Sequence, residues 1–436
     1  MLSHLIAPAL ARRGIHYGWA MVAVTFLAML STAAAMGMPG VLMTPLRTEF
    51  GWQISAISGP LALRLALYGL MGPFAAALLA RYGMRRVVGV AMALIVGGIL
   101  LATRMTALWE LWATWGLLVG LGTGLTAMVL GATVANRWFT ERRGLVIGLL
   151  TASAATGSLI FLPAAAWLAG HFGWRVALLP AAAACALAGV LVLLVARDDP
   201  AELGLAPYGE RAPASPRPRA GPIGNPARLA VAVLGEAAGT RAFWLLFFTF
   251  FVCGLSTNGL IGTHFIPLCQ DFGLSAVTAA GVLATMGAFD FVGTIGSGWL
   301  TDRFDSRRLL FVYYGLRGVS LMALPLTHFS FYGLSLFAMF YGLDWIATVP
   351  PTVRLAAAHF GRERASVVFG WVFCGHQLGA AVAAYGGGWS RDALASYLPA
   401  FFVAGALCIL AALTSVAISR PGRPSIAAVP PIAAPA

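Results

Sequence analysis

Hydrophobic residues run along this chain in twelve long stretches, separated by short polar or arginine-bearing breaks. They occupy about 17–43, 54–80, 87–105, 110–136, 144–168, 175–196, 242–268, 276–301, 309–328, 332–357, 366–389 and 397–419. An α-helix needs roughly 20 apolar residues to cross a hydrocarbon core, and each stretch meets or approaches that length. The runs are continuously apolar rather than alternating, which excludes an outer-membrane barrel. The pattern predicts an all-α polytopic membrane protein with six spans in residues 1–196 and six in residues 242–419. Between these sets, residues 197–241 carry Pro213, Pro216, Pro218, Pro222 and Pro226 with charges of both signs, and read as a solvated linker. The stretch 420–436 is rich in proline and alanine and reads as a disordered tail.

Composition supports the same class. Only 10% of the residues are charged and 60% are hydrophobic, with a mean hydropathy of +0.85. Soluble domains carry about 25% charged residues. The net charge of +13 comes from 28 basic residues, every one an arginine. These lie in short clusters at the ends of apolar runs, without an arginine-rich aromatic stripe, so nucleic acid is not the expected partner. On the twelve-span topology only Arg47, Arg104, Arg175 and Arg391 fall on one side and Arg64 and Arg317 inside spans; the other 22 fall on the side of the termini. Loops rich in Lys and Arg stay cytoplasmic, which predicts cytoplasmic N and C termini in a bacterial-type inner membrane. No cleavable signal peptide is expected, because the apolar stretch in residues 1–13 is short and its arginines follow it. Cys185, Cys253, Cys269, Cys374 and Cys408 lie in or beside apolar runs without C-x-x-C spacing, as small core residues do. The sequence contains no metal cluster, nucleophile–base pairing or ATP motif, so neither an enzyme nor a metal site is expected.

The two halves repeat. Thr44-Pro45-Leu46 and Glu49-Phe50-Gly51 match Ile266-Pro267-Leu268 and Asp271-Phe272-Gly273 at a shift of 222 residues. At the same shift Arg81-Tyr82-Gly83-Met84-Arg85-Arg86 matches Arg303-Phe304-Asp305-Ser306-Arg307-Arg308. The stretch 139–143 matches 360–364 at a shift of 221. Duplicated halves of this kind place a substrate site near the midplane between them.

The loop after span 8, Gly298-Trp-Leu-Thr-Asp302-Arg303-Phe-Asp-Ser-Arg307-Arg308, resembles the G-x-x-x-D-R-x-G-x-R-R signature of the major facilitator superfamily. The copy after span 2 has Ala76 and Ala80 in place of the glycine and the acid. The resemblance covers essentially the whole chain. It implies the superfamily's fold, twelve spans in two pseudo-symmetric six-helix bundles. It also implies a gating role for Arg81, Arg85, Asp302, Arg303, Arg307 and Arg308, the acid latching loop arginines and a helix end while the small residue lets helices touch. Several segments resemble the bacterial monocarboxylate and oxalate/formate porters: His16-Tyr17-Gly18-Trp19 opening span 1, Arg137-Trp138-Phe139 with Arg142-Arg143-Gly144 before span 5, and residues 199–209 after span 6. Asp290 matches the acid of the branch's Asp-x-x-x-Arg segment, but Thr294 stands where those porters carry an arginine. Their span 1 lysine has no counterpart in this lysine-free chain.

Ionisable residues inside a membrane are costly and mark sites or pairs. Arg64 in span 2, Asp290 in span 8, Arg317 in span 9, Asp344 in span 10 and His376 in span 11 stand well inside their spans. At about 1.5 Å rise per residue, the last four lie roughly 13–21 Å from the cytoplasmic end and Arg64 roughly 25 Å. An acid, an arginine and an acid on spans 8, 9 and 10 resemble the layout of proton-coupled sugar permeases. This trio is expected either to carry the coupling proton or to form a static salt bridge. Arg64, with no acid at its depth in spans 1–6, is either an anion receptor or a cation that snorkels towards the outer surface or caps helix carbonyls. Asn258, His376 and Gln377 are candidate substrate contacts or helix-packing hydrogen bonds. Pro350-Pro351 is expected to kink span 10, and Gly120, Gly122 and Gly124 to allow close packing of span 4.

The leading reading is a monomeric, proton-linked secondary transporter of a small organic anion such as a monocarboxylate, needing the bilayer and no cofactor other than protons. The alternative is an exporter of neutral or cationic compounds with Asp290 and Asp344 as binding acids. A flux-free sensor would carry a large soluble extension, which the short linker and tail do not supply.

Overall fold

A computed structural model of the chain describes residues 3–126, 129–210 and 226–419. Pro213, Pro216, Pro218 and Pro222 of the linker, and the tail 420–436, lie outside the described residues. Eleven helices among the described residues are long and apolar enough to cross a membrane. They are span 1 (Gly18–Phe50), span 3 (Met84–Ala102), span 4 (Leu108–Trp138), span 6 (Trp174–Val195), span 7 (Arg241–Asp271), span 8 (Ala276–Arg303), span 9 (Ser306–Thr327), span 10 (Phe331–Phe360), span 11 (Arg362–Leu394), span 12 (Leu398–Val416) and span 2, continuous over Ile54–Tyr82. Span 5 is the 30-residue helix Arg143–Phe172, with its most apolar stretch at Leu159–Phe172. No strand occurs among the described residues; one isolated bridge joins Phe139 to Tyr208.

Helix ends follow local chemistry. Gly51, at φ 69°, closes span 1 by donating its N–H to Arg47, a left-handed conformation that glycine adopts freely. Ser275, Asp305 and Ser330 cap spans 8, 9 and 10 with side-chain oxygens. The helices outrun the apolar stretches because hydrogen bonding continues past the hydrocarbon edge. Span 1, read as ending near 43, continues to Phe50.

Small residues set the helix spacing. A Cβ on Gly122 would lie 2.8 Å from the Ala91 carbonyl oxygen, and one on Gly124 2.7 Å from Met71 Cβ, so the glycines of span 4 do seat it against spans 3 and 2. Cβ atoms on Gly254 and Gly379 would overlap the carbonyl oxygens of His376 and Phe251, locking spans 7 and 11 together. Gly298, by contrast, faces open space, so the signature glycine makes no close packing in this conformation. All five cysteines are buried and free.

The linker is more than a tether. Tyr208 donates its N–H to Trp138 at 2.8 Å, His16 Nε2 lies 2.9 Å from the Ala206 oxygen, and a helix at Pro226–Ala238 packs on spans 2 and 11. Its proline and charge content hid these docking contacts, which are mostly to backbone atoms. Across the seam between the halves, span 1 meets span 7, span 2 meets span 11 and span 5 meets span 8.

Candidate functional site

The expected kink of span 10 is a full break. Residues 345–348 form a turn, and Pro350-Pro351 stand in the first turn of the following half-helix rather than at the break itself. A broken helix in the membrane frees backbone groups that must find partners. The side chains of spans 8 and 9 supply them. Asp290 Oδ1 accepts from the Ile346 N–H at 2.9 Å, and Ser297 Oγ donates to the Ala347 oxygen at 2.5 Å. Arg317 donates through Nη2 to the Asp344 and Trp345 carbonyls and through Nε to Asp344 Oδ2 at 2.7 Å. Its Nη1 contacts Cys253 Sγ at 2.9 Å, tying the break to span 7.

The three charges expected at one depth therefore do meet, at the break. Asp290 makes no ion pair with Arg317 among the described residues; Thr294 donates to it at 3.1 Å instead. With both backbone carbonyls served, one capacity is left over. Asp344 Oδ1 is buried without a hydrogen-bond partner among the described residues.

Arg64 is buried in span 2, and its Nη1 donates to the Met36 carbonyl at 3.1 Å and contacts Met36 Sδ at 3.3 Å. It is thus a carbonyl partner for span 1, not wholly unpaired. Its Nε has no hydrogen-bond partner and it has no acid partner among the described residues. Tyr68, one turn along the same face, meets Phe373 of span 11 with centroids 5.9 Å apart. His376 stacks on Phe373 and hydrogen-bonds to Gln377 at 3.2 Å, while Gln377 Oε1 is buried and unpartnered among the described residues. Asn258 is half-buried in a π-helical turn, Leu255–Ile261, and accepts from the Thr263 hydroxyl through its carbonyl. Sequence reading missed Tyr68; its spacing of four from Arg64 was the available signal.

Comparison with known proteins places this architecture. The profile of the Major Facilitator Superfamily matches residues 25–384. The chain belongs to the Major Facilitator Superfamily. It is similar to a rat protein named monocarboxylate transporter 13, 28% identical over 90% of this chain and 87% of the relative. An uncharacterised transporter of the superfamily, YcxA of Bacillus subtilis, is 24% identical over 87% of this chain and 90% of its own length. Among solved structures, a D-xylose–proton symporter superposes with a TM-score of 0.70 at 15% identity, covering 93% of this chain and 98% of its own. A bacterial homologue of the lysosomal transporter Spinster, inward-facing and occupied, gives 0.71 at 14%, covering 92% and 97%. This superfamily member is a membrane transporter of the twelve-helix fold and not an enzyme.

The loop signature is wired differently from its expected form. Asp302 is exposed and makes no ion pair among the described residues; the acid that binds Arg307 is Asp305, with Oδ2 2.6 Å from Nη2. Arg307 holds the Asp305 carboxyl down to about 2, and also donates to the Ile418 carbonyl at the end of span 12. Arg303 lies over the Trp299 ring, Arg81 over Tyr82, Arg85 is half-buried and Arg308 is exposed. In the first half the place of Asp305 is taken by Gly83, at φ 82°, and the space left by its missing side chain holds Asp198 from the end of span 6. Asp198 Oδ1 accepts from the N–H groups of Met84 and Arg85. A glycine opposite an acid in the repeat, with an acid just beyond span 6, was the legible hint.

At the opposite end of the transporter the halves are joined by charge. Span 2 has no cap from its own Gln53; Asp392 of span 11 accepts from the N–H groups of Ile54 at 3.2 Å and Ser55 at 2.6 Å. Thr44 donates to Gln270 at 2.7 Å beside it. Losing an N-cap costs about 0.5–2 kcal/mol, and this one exists only while the halves are together. Asp392→Ala is therefore expected to open this end. Labelling of a cysteine at Ser58, which packs on Gly388, should rise by about 2–30-fold, the range of that energy. An unchanged labelling rate removes the clamp from the gating balance.

Proposed function

We propose that this protein moves a small monocarboxylate-like anion together with a proton across a bacterial inner membrane by alternating access, with both termini cytoplasmic. The observation that carries the anion is Arg64: a guanidinium buried beside the seam, with a free Nε and no acid among the described residues to neutralise it. An uncompensated anion at the midplane would be prohibitively costly, and this cation supplies the compensation. The names of the curated relatives agree with that chemistry. His376, Gln377 and Asn258 are the neutral contacts of the same reading, and Asp344, Asp290 and Arg317 its coupling group. Loops bearing Arg81, Arg85, Asp302, Arg303, Arg307 and Arg308 gate the cytoplasmic end, with Asp305 making the pair. The transporter works as a monomer, without any cofactor beyond the proton.

Short carboxylates should stabilise the purified protein against heat according to RT ln(1 + [L]/Kd). Arg64→Gln is expected to weaken that binding by about 1.5–3 kcal/mol, the scale of a charged hydrogen bond. If Arg64→Gln binds carboxylates as the wild type does, or if only cations stabilise the wild type, the anion reading fails. The exporter with Asp290 and Asp344 as binding acids then takes its place. For topology, a periplasm-active reporter fused near Pro218 should stay silent; strong activity would invert the orientation.

A further inference from the structure

The rings that continue from Tyr68, four residues from Arg64, point to a narrower class of substrate, an inference that rests on the anion reading above. We infer that the transported anion is an aryl carboxylate, whose carboxylate meets Arg64 and whose ring stacks on Tyr68 and Phe373. Tyr68 belongs to the first half and Phe373 to the second, and their edge-to-face contact crosses the seam. Alternating access must part spans 2 and 11 at one end in each cycle, so this ring pair is broken and remade as the site opens. The remaining rings lie inside the second half. His376 is parallel to Phe373 at 5.6 Å, and Phe250 meets His376 at 4.9 Å. A fixed aromatic wall thus backs the seam on one side and ends at the pair that moves.

The layer on the other side of this wall is built differently. Leu65 of span 2 packs there on Ala380 and Ala384 of span 11, with Met36, the carbonyl partner of Arg64, against the same cluster. Small side chains and a cation lie along one layer; the ring of Tyr68 lies one turn away on span 2 and that of Phe373 about two turns away on span 11. A flat anion spans the two, with its charged end at Arg64 and its ring between faces that already prefer stacked or edge-on neighbours. Two polar atoms stay buried and unpartnered among the described residues in this neighbourhood, Arg64 Nε and Gln377 Oε1. The first is a donor for the carboxylate. The second accepts from a hydroxyl or amino group when the acid carries one. A short aliphatic acid satisfies Arg64 but leaves the ring pair without a partner when the seam opens.

The test is a thermal-stability titration of the full chain in detergent with benzoate, phenylacetate, acetate and propionate. The better aryl acid is expected to bind at least about tenfold more tightly than propionate, the yield of one additional stacked ring. Phe373→Leu, which keeps an apolar side chain but removes the ring, should bring that ratio below about three. Tyr68→Phe, which keeps the ring and drops the hydroxyl, should preserve the discrimination. Equal binding of aryl and aliphatic acids by the wild type overturns the inference and leaves the anion reading standing. A ratio that survives Phe373→Leu and Tyr68→Leu also overturns it, since the discrimination then comes from elsewhere. Absence of stabilisation by every carboxylate defeats the anion reading and this inference with it.

Discussion

Replacing Arg317 with methionine is expected to destabilise the protein by about 3–5 kcal/mol, the cost of stranding a buried ionic partner. The guanidinium holds Asp344 Oδ2 at 2.7 Å and also serves the carbonyls of Asp344 and Trp345, which the broken span 10 leaves free. Methionine keeps much of the volume and serves none of these acceptors. Both side chains are buried, so water does not step in. Thermal unfolding in detergent, with the yield of folded protein, measures the loss. Adding Asp344→Asn to Arg317→Met should recover part of it by removing an acid that must otherwise be protonated to stay buried without its partner, although the two carbonyls stay unserved. A single Arg317→Met variant within about 1 kcal/mol of wild type would show that the pair contributes little to holding the break.

Much of this arrangement was legible in the chain because the membrane simplifies the code. A span announces itself by length and apolarity, and an ionisable residue within one announces a partner, so Asp290, Arg317 and Asp344 were grouped by their common depth and by their resemblance to the sugar permease layout. What the sequence hid is which backbone groups those charges serve. Pro350 and Pro351 cannot donate to the carbonyls of Ile346 and Ala347, so a disruption just before them was legible; that it is a full broken turn over residues 345–348 was not. Asp290 was expected to face Arg317 because two opposite charges at one depth attract. The freed N–H of Ile346 competes for the same carboxylate, and Asp290 bonds to it. Long-range caps were equally hidden. Asp198 and Asp392 act on helices 114 and 338 positions away in the chain, and no local pattern reports such a distance. Signature matching chose Asp302 by its place in the motif, whereas Asp305, beside the N-terminus of span 9, is the better placed cap and partner for Arg307.

Asp344→Asn is expected to abolish uphill accumulation while leaving substrate exchange in place. Only one atom of this acid is committed to Arg317 Nε; Oδ1 is buried and unpartnered among the described residues. Asparagine keeps an oxygen for the arginine and nearly the same shape, so the break in span 10 should hold. What it lacks is a group that gains and loses a proton. In the wild type, the acid and the arginine sit on neighbouring spans beside the break between two half-helices, and on the proposed coupling a pivot at residues 345–348 separates them. An aspartate stripped of its cation in an apolar surrounding takes up a proton, and restoring the pair expels it. In the proposed coupling, that cycle ties proton movement to the change of access. With one proton carried per anion, an imposed gradient of about one pH unit sustains about tenfold accumulation, because each 1.4 kcal/mol is a factor of ten. Proteoliposomes containing Asp344→Asn should exchange labelled substrate across the membrane yet settle at equal concentrations under that gradient. Accumulation by the variant at the wild-type level would place the proton on another group, and Asp290, held by Ile346 and Thr294, would be the next to replace.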